Sequence, residues 1–453
     1  MKYVFIIALI VLSLAAIGVH WFDPPPVEDG KLVLHYSSVD FWAKHEQVAL
    51  FNKLNPKFLV RIDTGNTDPD KTILQSLAGV GPDFFNAYSA ANARAFVDAG
   101  IAWDLTDELN AAGINVREQV WPSTLNLIIH HDRVYGFPYA AHADALYFNK
   151  VLFDRAHIPY PQGVLTQAQF LALAQQLTIR TPGSDRVEQY GFVFSWELVW
   201  QHFLLQWGAR VFNETGTRCE LDSPAAIAAI QFLHDLVYKY HVAPSPEQEA
   251  GMATSGGWGS GSITWFGAGR AAMSLGGRFY LVAFRHKEEY PNFRPGVVEY
   301  QLGPHRIYRG YGGSVMINKQ SPHRREALEY LKFMASQPFN EMVNDQADGL
   351  APVKQFSDTP VFRLNPKYPD EDFNTVWRAV LERSVPDQLS PFVDGAILDL
   401  IISRQLGLVR ANAKPVADAL RTAAKELNEE IQRNIAETPA LRAEYQRLEA
   451  MKP

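Results

Sequence analysis

Cysteine is nearly absent from this chain, since Cys219 is the single one among 453 residues. An intrachain disulfide, a zinc site built from several thiolates, an iron–sulfur cluster and a CxxC redox pair are therefore excluded. Basic residues are also in the minority, with 42 Lys and Arg against 49 Asp and Glu and a formal net charge of −7. Because no dense basic run is present either, we expect no nucleic acid partner.

Sequence motifs for common catalytic chemistry are missing as well. The chain has no phosphate loop and no nucleophile elbow, and His45-Glu46 is followed by Ala49 where a metal-binding HExxH motif needs its second histidine. We expect no catalytic residue, no metal and no cofactor. A carboxylate pair of the glycosidase kind cannot be assembled from sequence alone, so an exported carbohydrate-active enzyme remains an alternative.

Long hydrophobic runs are limited to the N-terminus. Lys2 precedes an apolar run from Val4 to Val19 that continues through Phe22, and the first acidic residue is Asp23. This arrangement predicts export, with residues 1–22 as a signal peptide or membrane anchor and the Pro-rich residues 23–30 as a linker. The predicted location is periplasmic or extracytoplasmic. If the run is not cleaved, residues 4–22 anchor the protein to the inner membrane.

The rest of the chain alternates between strand and helix patterns. A strand at Lys31–Tyr36, a helix from about Phe41, a strand at Phe58–Ile62, a helix at Lys71–Ala78 and a return to Phe84-Phe85 predict a parallel α/β sheet. Ligands of such sheets bind at the carboxyl ends of the strands. We place Ser37, Ser38, Asp83, Asn86 and Tyr88 at those ends.

Further elements suggest a second lobe threaded through the first. Two short strands, Tyr135–Tyr139 and Ala145–Phe148, are predicted on either side of a polar AHAD stretch, where the chain would cross between domains. The other predicted elements are helices at Gln167–Leu177, Trp200–Trp207 and Pro224–Tyr240, a glycine-rich loop at Gly251–Gly261, a strand at Gly310–Ile317, a helix at Pro322–Ala335, and C-terminal helices from about Val416 to Ile435 and Pro439 to Leu448.

Tryptophan is frequent, with 10 residues. Trp196 and Trp200 flank Glu197 at a strand-to-helix junction, Trp258 lies in the glycine-rich loop, and Trp42 follows the first strand. An indole can stack on the C–H face of a sugar ring while carboxylates and arginines bind its hydroxyls. Burial in the core is the alternative for each of these indoles, and we assign Trp103, Trp121 and Trp377 to the core.

Several degenerate motifs occur in a recognisable order. They are Gly81-Pro82-Asp83, YGFPY at 135–139 with ALYFNK at 145–150, GRAAM at 269–273 with Gly276-Gly277, Gly312-Gly313 followed by Ser321-Pro322, and GLAPV at 349–353. From about residue 31 to residue 410 the chain resembles the family 1 extracellular solute-binding proteins, which are the sugar-binding components of ABC importers.

The resemblance implies an α/β, periplasmic-binding-protein-like fold of two interleaved lobes joined by a multi-strand hinge. Lobe 1 would comprise residues 31–142 and 312–347, lobe 2 residues 143–311 and 348–410, and residues 411–453 would form C-terminal helices. The implied function is capture of a carbohydrate or sugar derivative between closing lobes and its delivery to ABC permease subunits by a monomer. A membrane-anchored ligand sensor with the same fold is a further alternative.

The resemblance also implies which residues contact the ligand. They are Ser37, Trp42, Asp83, Tyr88, His142, Asp144, Trp196, Glu197, Trp200, Trp258, Gly276, Gly277, Arg278, Arg309, Tyr311, Gly312 and Gly313. Arg278 precedes Phe279 at a position where many relatives carry an aromatic residue, which favours an acidic sugar or a phosphate-bearing ligand. The alternative for Arg278 and Arg309 is a surface ion pair, and for Asp83 a capping or turn role.

Overall fold

The computed structural model describes residues 27–184, 186–250, 261–285 and 288–450. Within these residues the chain forms two compact units, each made of two separate segments. The first unit comprises residues 27–85 and 317–330, and the second comprises residues 86–316 and 331–450. The predicted signal or anchor segment and Trp258 lie outside the described residues. Among the helices of the described ranges, none is both long enough and apolar enough to cross a membrane.

The first unit is built on a parallel sheet, as the order of its elements predicts. Strand β2 pairs in parallel with β3, with Leu32 opposite Phe58, and in parallel with β4, with Tyr36 opposite Phe84. Each observed boundary falls within two residues of the predicted one wherever both ends were predicted. The elements are β1 (Val27–Glu28), β2 (Lys31–Ser37), α1 (Trp42–Leu54), β3 (Phe58–Asp63), a 3-10 helix (Thr64–Asn66), α2 (Pro69–Leu77) and the start of β4 (Phe84–Ala87).

The core of the first unit is aromatic. Tyr36 and Phe84 stack with ring centroids 4.7 Å apart, and Tyr330 meets Phe51 and Phe84 at 5.0 Å each. Tyr330 belongs to the second chain segment of this unit. Burial of each ring contributes roughly 1.5–3 kcal/mol of transfer free energy. The packing of Tyr330 therefore stabilises the association of residues 317–330 with the strands of this unit.

The second unit contains most of the helices. Its elements up to the return strand are α3 (Ala90–Asp98), α4 (Thr106–Ala111), α5 (Val116–Gln119), a 3-10 helix (Pro122–Leu127), β5 (Ile129–His130), β6 (Arg133–Val134), β7 (Gly136–Asn149), α6 (Lys150–Ala156), β8 (Val164–Thr166), α7 (Gln167–Gln176), β9 (Ile179–Arg180), β10 (Val187–Val193), α8 (Trp196–Gln206), α9 (Pro224–Tyr238), α10 (Pro246–Ala250), α11 (Ser262–Gly267), β11 (Ala271–Gly277), α12 (Tyr280–Phe284), β12 (Pro295–Gln301) and β13 (Tyr308–Ile317). The later elements are α13 (Arg324–Met334), which begins in the first unit, α14 (Gln337–Gln346), a 3-10 helix (Lys354–Asp358), α15 (Pro360–Arg363), α16 (Asn374–Glu382), β14 (Ser384–Val385), α17 (Gly395–Arg410), α18 (Val416–Glu437) and α19 (Pro439–Ala450).

Strand β7 corrects the prediction of two short strands around a polar break. The chain stays extended for 14 residues, from Gly136 to Asn149, and pairs antiparallel with β13, β11 and β12. Because neighbouring strands accept and donate its backbone hydrogen bonds along its whole length, the polar residues do not interrupt it. His142 and Asp144 are consequently carried into the interior, at 8% and 2% exposure.

The predicted apolar stripe near the C-terminus is confirmed as a helix. Helix α18 buries Leu420, Leu427 and Ile431 in the hydrophobic core of the second unit and contacts α17 and α19. The helix predicted from Pro224 is confirmed as α9, and it is capped, since the Ser223 side chain accepts a hydrogen bond from the Ala226 amide and Pro224 occupies the first turn.

We predict opposite effects for two glycine-to-alanine substitutions. A Cβ at Gly191 in β10 would lie 1.9 Å from the Ala174 carbonyl oxygen of α7, so Gly191→Ala forces backbone apart and should destabilise the protein by about 1–3 kcal/mol. Gly407 is at an exposed position of helix α17 with no atom within 4 Å of such a Cβ, so Gly407→Ala should stabilise by roughly 0.5–1 kcal/mol. Urea unfolding of both variants measures the difference, and equal effects would contradict the packing argument.

Candidate ligand-binding site

Asp144 is the centre of a buried polar cluster in the second unit. Its Oδ1 accepts a hydrogen bond from the Tyr311 hydroxyl at 2.6 Å, and its Oδ2 lies 2.9 Å from His202 Nε2. Tyr311 comes from β13, which pairs Tyr311 with His142 of β7, and His202 comes from α8. Three separate elements therefore converge on one carboxylate.

The cluster keeps Asp144 ionised. Burial alone raises the pKa of this carboxyl, because the charged form loses its water. The His202 ring 2.9 Å away, the hydrogen bond from Tyr311 and the charge of Arg309 together outweigh burial, so the pKa of Asp144 lies below its ordinary value. Burial and the negative Asp144 raise the pKa of Tyr311 far above the usual range, so its hydroxyl remains a donor.

A second ion pair lies two residues before Tyr311 on β13. Arg309 Nη2 is 3.0 Å from Asp387 Oδ2, and its Nε contacts Oδ1 of the same carboxylate. The guanidinium carbon also lies 5.0 Å from the centroid of the Tyr311 ring. Burial lowers the pKa of Arg309, but Asp387 more than offsets it and the net direction is upward. The adjoining cavity of about 20 Å³ has room for one water molecule.

Aromatic rings cover one side of the cluster. The His142 ring stacks on Tyr311 with centroids 5.4 Å apart and meets Phe279 edge-on at 5.9 Å. Gly349 adopts φ +129°, and a Cβ there would lie 2.8 Å from His142 Cε1, so only glycine permits this approach. The structure thus brings four predicted site residues together: His142, Asp144, Arg309 and Tyr311.

The predicted glycines are positions of close packing. A Cβ at Gly276 would lie 2.3 Å from the Tyr280 ring, and one at Gly277 would lie 3.0 Å from the Tyr311 hydroxyl. A Cβ at Gly312 would meet the Ala140 carbonyl oxygen at 2.7 Å, and one at Gly313 would meet the Tyr139 ring at 2.4 Å. These glycines allow rings and backbone to approach β11 and β13 closely.

Arg278 is buried rather than part of a surface ion pair. It is 2% exposed, its Nε donates to Asn374 Oδ1 at 3.1 Å, and its Nη1 donates to the carbonyl oxygens of Asn344 and Gly349 at 2.9 Å each. Burial lowers the pKa of Arg278 to about 10. The residue also borders a cleft of about 400 Å³ lined by Phe362, Asn365 and Lys367 among others. Nη2 donates no hydrogen bond to any residue in the described ranges.

The two indoles of the SWELVW segment lie in the core of the second unit. Helix α8 begins at Trp196, four residues earlier than predicted, because Trp196, Val199, Trp200 and Phe203 form a continuous apolar face. Trp196 and Trp200 are 3% and 8% exposed. Glu197, between them, is exposed, and its carboxylate lies 2.9 Å from Arg410 Nη1. Trp121 and Trp377 are core residues, as predicted, and Trp103 is half-buried.

The remaining predicted residues include three in the first unit. The Ser37 hydroxyl donates to the Asn66 carbonyl oxygen, and Trp42 is 43% exposed on the first turn of α1. Asp83 directly precedes β4 and lies beside His35, near the carboxyl end of β2. It accepts hydrogen bonds from His35 N and Ser321 Oγ and joins the two segments of the unit. Tyr88, in the second unit, is half-buried beside Asn86.

Two central residues were not predicted. His202 and Asp387 lie 58 and 243 positions from Asp144 in sequence. Only the fold brings His202 near Asp144 of β7 and Asp387 near Arg309 of β13. One signal was available for His202. It is the single ionisable side chain besides Glu197 on a mostly apolar helix, and such a buried polar group requires a partner.

We predict that Tyr311→Phe costs about 1.5–3 kcal/mol of unfolding free energy, the range for a hydrogen bond to a charged group. Tyr160→Phe is the matched control, because the Tyr160 hydroxyl also donates to a carboxylate, that of Asp154, but on the surface where water replaces the bond. We expect less than about 1 kcal/mol there. Equal losses in urea titrations would show that burial does not strengthen the Asp144 bond.

Asp144 should also give a defined pH dependence. Its folded-state pKa lies below the unfolded value of about 3.9, so the stability from the ionised form is complete above that pH and is lost as the pH falls through the folded-state pKa. Asp144→Asn should cost about 3–5 kcal/mol at neutral pH, because His202 loses its carboxylate. The difference from the wild type should shrink below about pH 4. A constant difference in unfolding free energy would contradict this assignment.

Comparison with known proteins agrees with this architecture. An ABC substrate-binding protein of Listeria monocytogenes, in complex with cycloalternan, superposes with a TM-score of 0.74 at 21% identity and covers 89% of this chain and 99% of its own. A protein of Mycobacterium tuberculosis in complex with glycerophosphocholine superposes with a TM-score of 0.72 at 18% identity, over 90% of this chain and 100% of its own. The expected α/β periplasmic-binding-protein fold is confirmed.

Sequence relatives extend the comparison. A protein of Brucella abortus named as a binding protein is 26% identical over 269 residues, which is 57% of this chain. The chain thereby spans 60% of the length of the curated relatives it matches. The family model for bacterial extracellular solute-binding proteins matches residues 38–340, more than half of the chain. The chain therefore belongs to the bacterial extracellular solute-binding protein family.

Proposed function

We propose that this protein captures a carbohydrate or sugar derivative outside the cytoplasm and delivers it to the permease of an ABC importer. The observation that carries the proposal is the family match over residues 38–340. The cycloalternan complex of the Listeria protein, which has the same fold over 89% of this chain, supports the ligand class. Binding is reversible and needs no covalent chemistry, and the working species is a monomer in the periplasmic or extracytoplasmic space.

Within this proposal the predicted contact residues divide into two roles. Asp144 already lies beside the buried His202 and Arg309 already pairs with the half-buried Asp387, so they position strands β7 and β13 and the rings of His142 and Tyr311. Trp42 exposes an indole that no core packing requires, and it stacks on a sugar ring. The predicted lobe boundaries at residues 142 and 311 remain part of the proposal.

The hydrogen bonds that Arg278 makes to protein groups limit its capacity to bind an anionic ligand. Two of its three nitrogens already donate to Asn374, Asn344 and Gly349. Nη2 is left for a ligand acceptor, so Arg278 can supply a single-point contact but not a two-point clamp on a carboxylate or phosphate. We therefore propose a mainly neutral, polyhydroxylated ligand.

We predict that Trp42→Ala weakens sugar binding without changing the melting temperature of the free protein. Loss of one stacked ring should cost about 1–2 kcal/mol, or roughly 5- to 30-fold in Kd. Leu54→Ala is the control, because Leu54 lies on the same helix with 49% exposure and no proposed ligand role. Calorimetry across linear and cyclic oligosaccharides, sugar acids and glycerol phosphodiesters identifies the ligand for this comparison.

Other outcomes of that screen would overturn the proposal. Saturable binding of none of these compounds would count against a sugar receptor. Turnover of a chromogenic glycoside would indicate an exported carbohydrate-active enzyme, and ligand-dependent association with a protein other than a permease would indicate a sensor.

A further inference from the structure

Five apolar side chains are exposed around one end of the first unit. Val27, Leu54, Leu74, Leu77 and Val80 are 59%, 49%, 69%, 57% and 71% exposed, and we call them the edge patch. Strands β2 and β3 begin level with each other, with Leu32 opposite Phe58, whereas β4 begins opposite Tyr36. Because the three strands are parallel, helices α1 and α2 both run back toward the amino ends of the strands. Exposure of single apolar residues is ordinary, whereas five on one side of a small unit are not.

Backbone contacts place the members near one another. Val27 pairs with Leu32, and the Leu32 amide donates to the carbonyl oxygen of Lys57, three residues after Leu54. On the opposite flank of β2, the Val80 amide donates to the Gln75 carbonyl oxygen at the end of α2. Leu74 and Leu77 lie three residues apart and therefore on one face of that helix.

Basic residues surround these apolar side chains. Lys53 and Lys57 flank Leu54, and Leu54 and Lys57 share a surface groove of about 500 Å³ with Arg325. Glu326 and Glu329 line the same groove, Arg324 Nη1 donates to the Lys319 carbonyl oxygen, and Glu28 lies opposite Lys31 where β1 pairs with β2. Exposed apolar groups interspersed with a small excess of lysine and arginine are typical of surfaces that rest in a lipid interface.

The chain outside the described residues leads to the same side. Val27, the first described residue, belongs to the edge patch, and residues 23–26 connect it to the apolar run that ends at Phe22. Fully extended, four residues span roughly 15 Å. With the apolar run in a bilayer, Val27 cannot lie farther than that from the membrane.

From these observations we propose that the edge patch docks on the lipid bilayer that holds the N-terminal run. Leu54, Leu77 and Val80 enter the headgroup region, and the neighbouring lysines and arginines contact lipid phosphates. The occupant is the membrane surface, and the first unit is held against it in a fixed orientation by its own side chains as well as by its tether.

The test uses one thiol at either end of helix α2. The full chain, with the N-terminal run verified by mass, is inserted in vesicles of phosphatidylcholine with and without phosphatidylglycerol. Leu77→Cys or Asp70→Cys carries an environment-sensitive fluorophore. The native Cys219 is buried, and burial raises the pKa of its thiol to about 12, so it does not compete for the label. Asp70 is exposed on the first turn of the same helix and is the matched control.

We expect the probe at position 77 to shift to the blue and to be quenched several-fold more by lipid-attached spin labels than the probe at position 70. Phosphatidylglycerol should increase the quenching, and Leu54→Gln with Val80→Gln should reduce it. Equal quenching at both positions, or none at position 77, would overturn the proposal. A probe at position 77 that responds only when a permease is added would show that the patch faces protein instead. Neither result bears on sugar affinity, so the proposed function is tested separately.

Discussion

A single strand, β7, imposes the constraint on which the second unit depends. Its 14 residues pair with β13, β11 and β12, so the register of three other strands is set against it. Because a shift of one residue would move every side chain to the opposite face, the position of Asp144 is fixed as firmly as the sheet itself. A buried carboxylate in such a strand is costly unless it is paired, and His202 and Tyr311 supply the pairing from a helix and from the adjacent strand.

Local patterns determined what could be predicted. The βαβαβ order of the first unit was read correctly because each element carries its own periodicity and its own turn residues, as at Asn55-Pro56 between α1 and β3. The break predicted within β7 was wrong because His142 and Asp144 look like loop residues when read alone. Their burial depends on neighbours more than 100 residues away, such as Tyr311, and no local pattern contains that information.

The candidate site was predicted in part for the same reason. The family resemblance predicted His142, Asp144, Arg309 and Tyr311 as ligand-contacting residues. The fold brings these four side chains together. Their partners, His202 and Asp387, belong to segments without a motif. They were identified only from their distances to Asp144 and Arg309 in the structure. Trp196 and Trp200 were predicted as ligand contacts from their residue type, but both indoles lie in the core. A large indole at a strand-to-helix junction fills the core as readily as it faces solvent.

The charged residues Asp144, Arg309 and Arg278 serve to position other groups more than to bind a ligand directly. Asp144 and Arg278 are buried and Arg309 is half-buried, and each has its hydrogen-bonding capacity largely or wholly committed to protein groups. A ligand that had to displace those bonds would leave a buried charge without compensation, at a cost larger than one new contact returns. If the protein binds a polyhydroxylated ligand as proposed, side chains that keep free hydrogen-bonding capacity recognise it, whereas Asp144 and Arg309 hold β7 and β13 in place.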